Sequence, residues 1–194
     1  MELSEIIKNR HSIREYEKKE VELKKIGEIL SLAENAPSSG NIQNWRFIVV
    51  NDKEKKNLLA KACLNQTWMN EAPVFIVVCY DVSDAKTLYP EDYEKFSIQN
   101  CAVISTYIIL IAEHLGLGSC WVDVNDQEKV SRILDLPENI KGSVIITLGY
   151  KKGDYKKTKR YSFNDFTFFE KYGNRIAKKP SFNISKYTSK LRKR

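Results

Sequence analysis

Histidine and cysteine are scarce: two His and four Cys occur in 194 residues. Cys63, Cys79, Cys101 and Cys120 lie far apart and form no CxxC pair. Neither His11 nor His114 makes a ligand pair with them, so no metal site is expected. Three of the four cysteines sit in apolar stretches and read as reduced core residues. No run of about 18 uncharged apolar residues exists, so no membrane span is expected. The first residues, MELSEIIKNR, carry acids and lack the basic-then-apolar order of a secretion signal, which points to the cytoplasm. The fingerprint GxGxxG is missing as well. Its nearest approach, Gly116-x-Gly118, has Trp121 in the third glycine's place and follows a helical pattern. A Walker loop, HExxH and GxSxG are all absent, which sets aside the common cofactor and nucleophile motifs. Without internal repeats, low-complexity segments or a Gly/Ser linker, residues 1–194 read as one domain, or one protomer of an oligomer.

What is present suits a folded, soluble chain: 42% of residues are hydrophobic and 29% charged. The net charge of +7 is concentrated in two places. KKGDYKKTKR (151–160) holds six bases and one acid, and KYTSKLRKR (186–194) holds five bases and no acid. Such runs serve as solvated faces, as nucleic-acid contacts, or, for part of the first run, as a partner for a phosphate on a small ligand.

Apolar spacing predicts helices over 2–8, 21–34, 53–63, 125–134 and 162–172, with Asp52 and Asn125 as caps of the third and fourth. Buried strands are expected at 45–51, 72–80 and 142–150, with a shorter extended segment at 118–124. The stretch from Tyr93 to Leu115 lacks Gly and Pro and is apolar on most faces after Ile98. It predicts one long helix, buried on several sides and packed partly against a second subunit. The pattern is mixed α/β, without a clean series of βαβ units.

Three polar loops interrupt these elements. RHSIR (10–14) offers two guanidiniums, an imidazole and a hydroxyl. Arg10 and Arg14, four apart, can fork onto carboxylate or phosphate oxygens. PSSGNIQN (37–44) offers hydroxyls and carboxamides suited to carbonyl and ring N–H groups. KKTKR (156–160) adds cations. Together they suit a ligand with a phosphate at one end and a polar heterocycle at the other; ordinary surface loops are the plainer alternative.

Taken in order, RHSIREY, APSSGNIQNW, EAPVFIVV, GLGSCWV and VIITLGYKKGDYKKTKRYS resemble the nitroreductase family of flavin enzymes, over roughly residues 3 to 163. The resemblance implies an α+β fold: a central, mainly antiparallel sheet flanked by helices, in an interlocked homodimer with one FMN in each interface cleft. It implies that the C-terminal extension, 173–194, packs on the partner subunit. It also implies residue roles. Arg10 and the cations Lys157, Lys159 and Arg160 would hold the FMN phosphate, with His11 and Ser12 lining the same end. Arg14 would reach the pyrimidine edge of the ring. Pro37, Ser38, Ser39, Asn41 and Gln43 would come from the other protomer. Asn65, with Gln66 as its rival, would meet the pyrimidine edge. Trp121, Val122 and Asp123 would lie against one ring face, with the backbone N–H of Asp123 aimed at flavin N5. Plainer alternatives remain for three places: turn-shaping for Ser38 and Ser39, core packing for Trp121, and helix-capping for Asp123.

The implied activity is ping-pong transfer from NADH or NADPH, through the flavin, to nitroaromatic, quinone or similar small electron-poor acceptors. No protein side chain acts as nucleophile, so no catalytic residue is assigned. A non-catalytic FMN carrier or redox sensor is one alternative, and a basic nucleic-acid-binding module a lesser one. Two departures stand out. Asn44 replaces the proline usual in the family's NxQPW motif, which puts the rigidity of the 37–43 loop in question. The segment 81–92 is short, which predicts an open cleft or one covered by other parts, such as the Tyr89–Tyr93 region or the tail.

Overall fold

The apolar runs become one four-stranded sheet in the computed structural model, which describes residues 2–153, 155 and 158–175. The strands are β1 (Trp45–Val50), β2 (Val74–Asp81), β3 (Gly118–Asp123) and β4 (Ile140–Gly149), in the order β1-β2-β4-β3 with every neighbouring pair antiparallel. Their helices are α1 (Leu3–Asn9), α2 (Leu23–Ala33), α3 (Lys53–Ala62), α4 (Val82–Leu88), α5 (Tyr93–His114) and α6 (Gln127–Leu134). The chain divides into two units, Met1–Tyr155 and Lys156–Arg194. All of these elements belong to the first.

Strand β2 shows no polar alternation because both faces of the sheet are covered. Val74, Ile76, Val78 and Tyr80 point into a core closed by Ile26, Ile29 and Ala33 of α2 and by Cys101, Ile104, Ile108 and Ala112 of α5. Phe75, Val77 and Cys79 point the other way, against Leu59, Ala60 and Ala62 of α3 and Val130 of α6. Burying one such aliphatic or aromatic side chain is worth about 1.5–3 kcal/mol. Two covered faces therefore let a sheet of only four strands carry the fold. All four cysteines are free and buried, as expected of core residues.

Helix α5 runs 22 residues between its caps Asp92 and Leu115. Gly116 ends it at φ +78, a left-handed turn that glycine adopts without steric cost. There Gly116 N–H donates to the Glu113 carbonyl and Leu117 N–H to the Ala112 carbonyl, which satisfies the last turn. The helix is long and apolar enough to cross a membrane, with a mean hydropathy of 1.4 over its most apolar window. Its contacts with α2 and all four strands mark it as a core helix.

One reading of the sequence needs correction in this unit, and one is refined. The cap of α6 is Asp126, whose carboxylate accepts from Lys129 N–H, rather than Asn125. The segment 81–92 holds a helix of its own, α4, started by Asp81 accepting from Ser83 N–H. With only Val82 and Ala85 buried, α4 is too short to show a helical period.

In the second unit, α7 covers only Phe163–Phe166 and not 162–172. Ser162 and Asp165 form a capping box that starts a turn, but Thr167 is extended at φ −112, ψ 127. Phe166 and Tyr172 stay exposed, and a short helix without a packed face does not propagate. Residues 176–194 lie outside the described residues, and with them most of the segment expected to pack on a partner.

Candidate functional site

The site is built on the segment that follows α1. Helix α1 stops at Arg10, which is extended at φ −62, ψ 125 and donates its N–H to the Ile6 carbonyl. From there the chain runs beside β3 as a short parallel edge: Ser12 bridges Ser119, and Ile13 N–H donates to the Ser119 carbonyl at 2.9 Å. Ile13 and Tyr16 face inward and are buried; Ser12 and Arg14 face outward and are exposed. Residues 12–14 alternate as an extended strand does; Tyr16, three past Ile13, is buried where the chain bridges Lys151. The Tyr16 hydroxyl donates to the Ile13 carbonyl at 2.7 Å and lies 2.7 Å from Thr147 Oγ1. Burial pushes its phenol well above the usual range, with the Thr147 bond opposing. Tyr16 thus stays neutral and ties the segment to β4.

Arg14 comes to rest over the indole of Trp68, 5.4 Å from the ring centroid, a distance at which a guanidinium and an aromatic face attract. Trp68 donates from Nε1 to Gln66 Oε1 at 3.2 Å. Burial also raises the Cys120 thiol, while the charges of Arg14 and Arg10 and bonds from Arg14 and Ser12 pull it down. Ser12 and Ile13 bring the 10–14 segment to the start of β3 at Ser119. His11 is half-buried, and its ring bonds the Asn9 carbonyl through Nδ1.

Strand β3 has a free edge opposite β4. Ser119 turns its carbonyl to Ile13, whereas Val124 N–H bonds back to Ser143. In an antiparallel pair the bonding direction alternates, so the N–H groups of Trp121 and Asp123 point to the free edge. The Trp121 indole donates to Asp123 Oδ1 at 2.6 Å. That bond occupies the carboxylate and fixes the ring, leaving the Asp123 backbone N–H as the available donor. Trp121 is half-buried and packs on the α2/α5 core. The Val122 side chain belongs to the opposite core and, by the same alternation, its backbone faces β4, so Val122 is not presented at the free edge. Asp123 does not cap the next helix, since Asp126 does.

The 37–43 loop is tightly specified. Its single 3-10 turn (Ser39–Asn41) contains Gly40 at φ 55 and Asn41 at φ 56, and Gln43 follows at φ 45. A Cβ on Gly40 would meet Leu88 Cδ2 at 2.6 Å and Tyr89 Oη at 2.8 Å. Ser38 Oγ accepts from Gln43 N–H at 3.0 Å, so this serine does shape a turn. The carboxamides of Gln43 and Asn41 bond each other at 2.9 Å. Pro37 is exposed at the loop's start. Asn44, which raised the question of rigidity, is 1% exposed and fully bonded. It donates to the Asp81 carbonyl and to Ser97 Oγ, each at 2.8 Å, and accepts from Asn100 at 3.0 Å. The loop is held by amide bonds in place of a proline ring.

Asn65 follows Leu64, and both are left-handed, at φ 55 and 57. The Asn65 side chain is exposed at the end of α3, whereas the carboxamide oxygen of its rival Gln66 is taken by Trp68. In the basic run, Lys151 pairs with the buried Glu113 at 2.6 Å. Lys157 lies outside the described residues; Lys159 and Arg160 are exposed residues of the second unit. Within the first unit the segment carrying Arg10, Ser12 and Arg14 joins β3 at Ser119, and Trp121 and Asp123 lie further along the same strand. The 37–43 loop meets α5 at Asn100 instead, roughly 20 Å along the helix from its other end. Trp68 and Cys120 were missed. A lone tryptophan among the polar residues of NQTWMNE was the available signal for the first.

An antiparallel sheet with helices on both faces, and a cationic segment along one free edge, defines an α+β protein of the nitroreductase type. The family model described as "Nitroreductase family" matches residues 7–68 and 58–150. A protein of Archaeoglobus fulgidus with the provisional name NADH dehydrogenase/NAD(P)H nitroreductase is 36% identical over 157 residues, 79% of this chain and 87% of its own. Among solved structures, NfrA2 of B. megaterium matches with a TM-score of 0.82 at 26% identity, over 89% of this chain and 76% of that one. An FMN-dependent nitroreductase of Clostridium difficile R20291 matches with a TM-score of 0.72 at 30% identity, over 86% and 98%. The chain belongs to the nitroreductase family.

Proposed function

We propose that the protein is an FMN-dependent NAD(P)H oxidoreductase acting on small electron-poor acceptors such as nitroaromatics and quinones. The observation that carries this reading is the extended 10–14 segment, joined to the edge of β3 at Ser119 and carrying Arg10, Ser12 and Arg14 within five residues. That donor set fits FMN: guanidinium and hydroxyl donors for a phosphate, a second cation for the ring edge, and outward backbone N–H groups on β3. Bound there, FMN supplies two-electron transfer between a nicotinamide and the acceptor. The protein's own part is placement. Arg10, with His11 and Ser12, holds the phosphate end. Arg14 sets a fixed positive charge where the ring becomes more negative on reduction, which favours reduction. Asn65 meets the ring's pyrimidine edge, and the Trp121–Asp123 edge faces the ring. One cleft serving donor and acceptor in turn gives ping-pong kinetics, and no side chain acts as nucleophile.

A homodimer completes the site. Exposed apolar residues on α1 (Leu3, Ile7), α2 (Leu23, Leu32) and α5 (Ile98, Tyr107) supply the surface for a second copy, and both α1 and α2 pack on α5. The 37–43 loop of that copy then reaches the cleft; by the family resemblance, Lys157, Lys159 and Arg160 are the further candidates for the phosphate. This reading places the protein in the cytoplasm with no nucleic-acid partner.

The deciding experiment is a visible spectrum of the purified protein, before and after anaerobic NADH and then NADPH. A flavin spectrum that bleaches with one donor and returns with a quinone or nitroaromatic supports the oxidoreductase. A flavin that neither donor bleaches favours a carrier or sensor. A colourless protein that takes up no FMN overturns the reading.

A further inference from the structure

Asn44 and Asn100 are two neutral carboxamides, 1% and 2% exposed, and each bonds the other. Asn100 Oδ1 accepts the Ser39 N–H at 2.9 Å, and Asn100 Nδ2 donates to Asn44 Oδ1 at 3.0 Å. Both N–H groups of Asn44 are used, one on the Asp81 carbonyl and one on Ser97 Oγ. Ser97 in turn donates to the Tyr93 carbonyl at 2.6 Å. The chain of bonds runs unbroken from the end of β2, through α5, to the loop.

Apolar residues of similar size would fill this volume without needing partners. What the amides add is direction. Ser39 is the first residue of a 3-10 turn, so its N–H has no partner within the turn. Ser38 provides no side-chain cap for it; Asn100 caps it from a distant helix. The turn contains left-handed Gly40 and Asn41, a conformation that lasts only where its surroundings fix it.

We propose that Asn100 and Asn44 are positioning residues: a buried amide relay that locks residues 38–43 in the conformation that meets the flavin. The proposal rests on the flavin reading given above. It assigns to Asn44 the stiffening that proline supplies in relatives of the NxQPW pattern.

The test compares full-length Asn100→Leu and Asn100→Asp with the parent chain. Leucine removes both bonds; aspartate keeps the acceptor for Ser39. Two quantities are read: amide hydrogen exchange of residues 38–43 in the FMN-free protein, and the FMN dissociation constant by fluorescence titration. In Asn100→Leu, exchange over 38–43 should rise at least tenfold while the 101–112 part of α5 is unchanged, and the dissociation constant should rise at least tenfold. Asn100→Asp keeps the Ser39 acceptor but loses the bond to Asn44 Oδ1 and buries a charge, so both quantities should stay raised, though less than in Asn100→Leu. Unchanged exchange over 38–43 overturns the relay, whatever happens to FMN. Faster exchange with unaltered FMN affinity overturns the positioning role. A parent chain that binds no FMN overturns the flavin reading itself, while exchange still reports on the relay. Should the leucine chain not fold, Asn44→Ala removes the acceptor that orients Asn100 and must give the same rise in exchange.

Discussion

The Arg14 guanidinium lies 5.4 Å above the Trp68 ring, and the same indole is tied by its N–H to Gln66. A side chain that is exposed and otherwise free to swing is thus given a fixed seat. Arg14→Ala should lower the flavin midpoint potential by roughly 30–60 mV, the two-electron equivalent of about 1.4–2.8 kcal/mol. Trp68→Leu should give a smaller shift of the same sign. Spectroelectrochemical titration checks both, and an unmoved potential in Arg14→Ala sinks this role.

Arg10 sits where α1 gives way to the extended segment, and its part is affinity. Losing a charge-assisted bond costs about 1.5–3 kcal/mol. Arg10→Ala should therefore weaken FMN binding roughly 10- to 150-fold while leaving the potential almost in place. Calorimetric titration of the FMN-free chain decides this, and equal affinity would remove the phosphate contact from the argument.

Tyr16→Phe keeps the ring and deletes the hydroxyl that joins Ile13 to Thr147. Stability should drop by about 1–2 kcal/mol, since buried partners are left unpaired. The urea midpoint reads the loss. A midpoint equal to that of the parent would mean that the hydroxyl does not secure the segment.

Burial raises the thiols of Cys63 to about 11 and of Cys79 and Cys101 to about 12, from an ordinary value near 9. Folded thiols then keep protons that unfolded ones lose. Their contribution to stability is whole below pH 9 and declines as pH rises through 9 toward 12. Urea melts between pH 8 and 11 should show a falling midpoint, steeper in the parent than in Cys79→Ala. Equal slopes would refute it.

The exposed face of α5 offers a plain test of assembly. Ile98 stands uncovered there. Ile98→Lys should shift sedimentation from dimer to monomer. If the parent chain itself sediments as a monomer, that face has no such role.

How much of this was legible beforehand follows from the kind of signal each part leaves. Strand β2 was readable because VFIVVCY is apolar without a break, and α5 because nothing between Tyr93 and Leu115 can break a helix. Helix α4 was not, because two buried positions make no period. The 10–14 segment was legible as a set of donors, but its attachment to Ser119 was not, since a backbone bridge leaves no trace in side-chain type. Asn44 misled for a related reason. Read locally it is a missing proline, and only the tertiary contacts to Asp81, Ser97 and Asn100 show how the loop is stiffened. Trp68 was passed over because a lone aromatic in a polar loop looks like a surface residue until a guanidinium is seen above it.

The separation of the two anchor points along α5 carries a last consequence. One loop is fastened at Asn100 and the cationic segment just past the helix's far end. If each cleft draws on both ends, one from each copy, then retention of the yellow colour becomes a second-order property of the solution. Diluting the protein at constant free FMN would release flavin along the curve of subunit dissociation. A cell could then set its active fraction through the abundance of the chain itself, with no separate inhibitor.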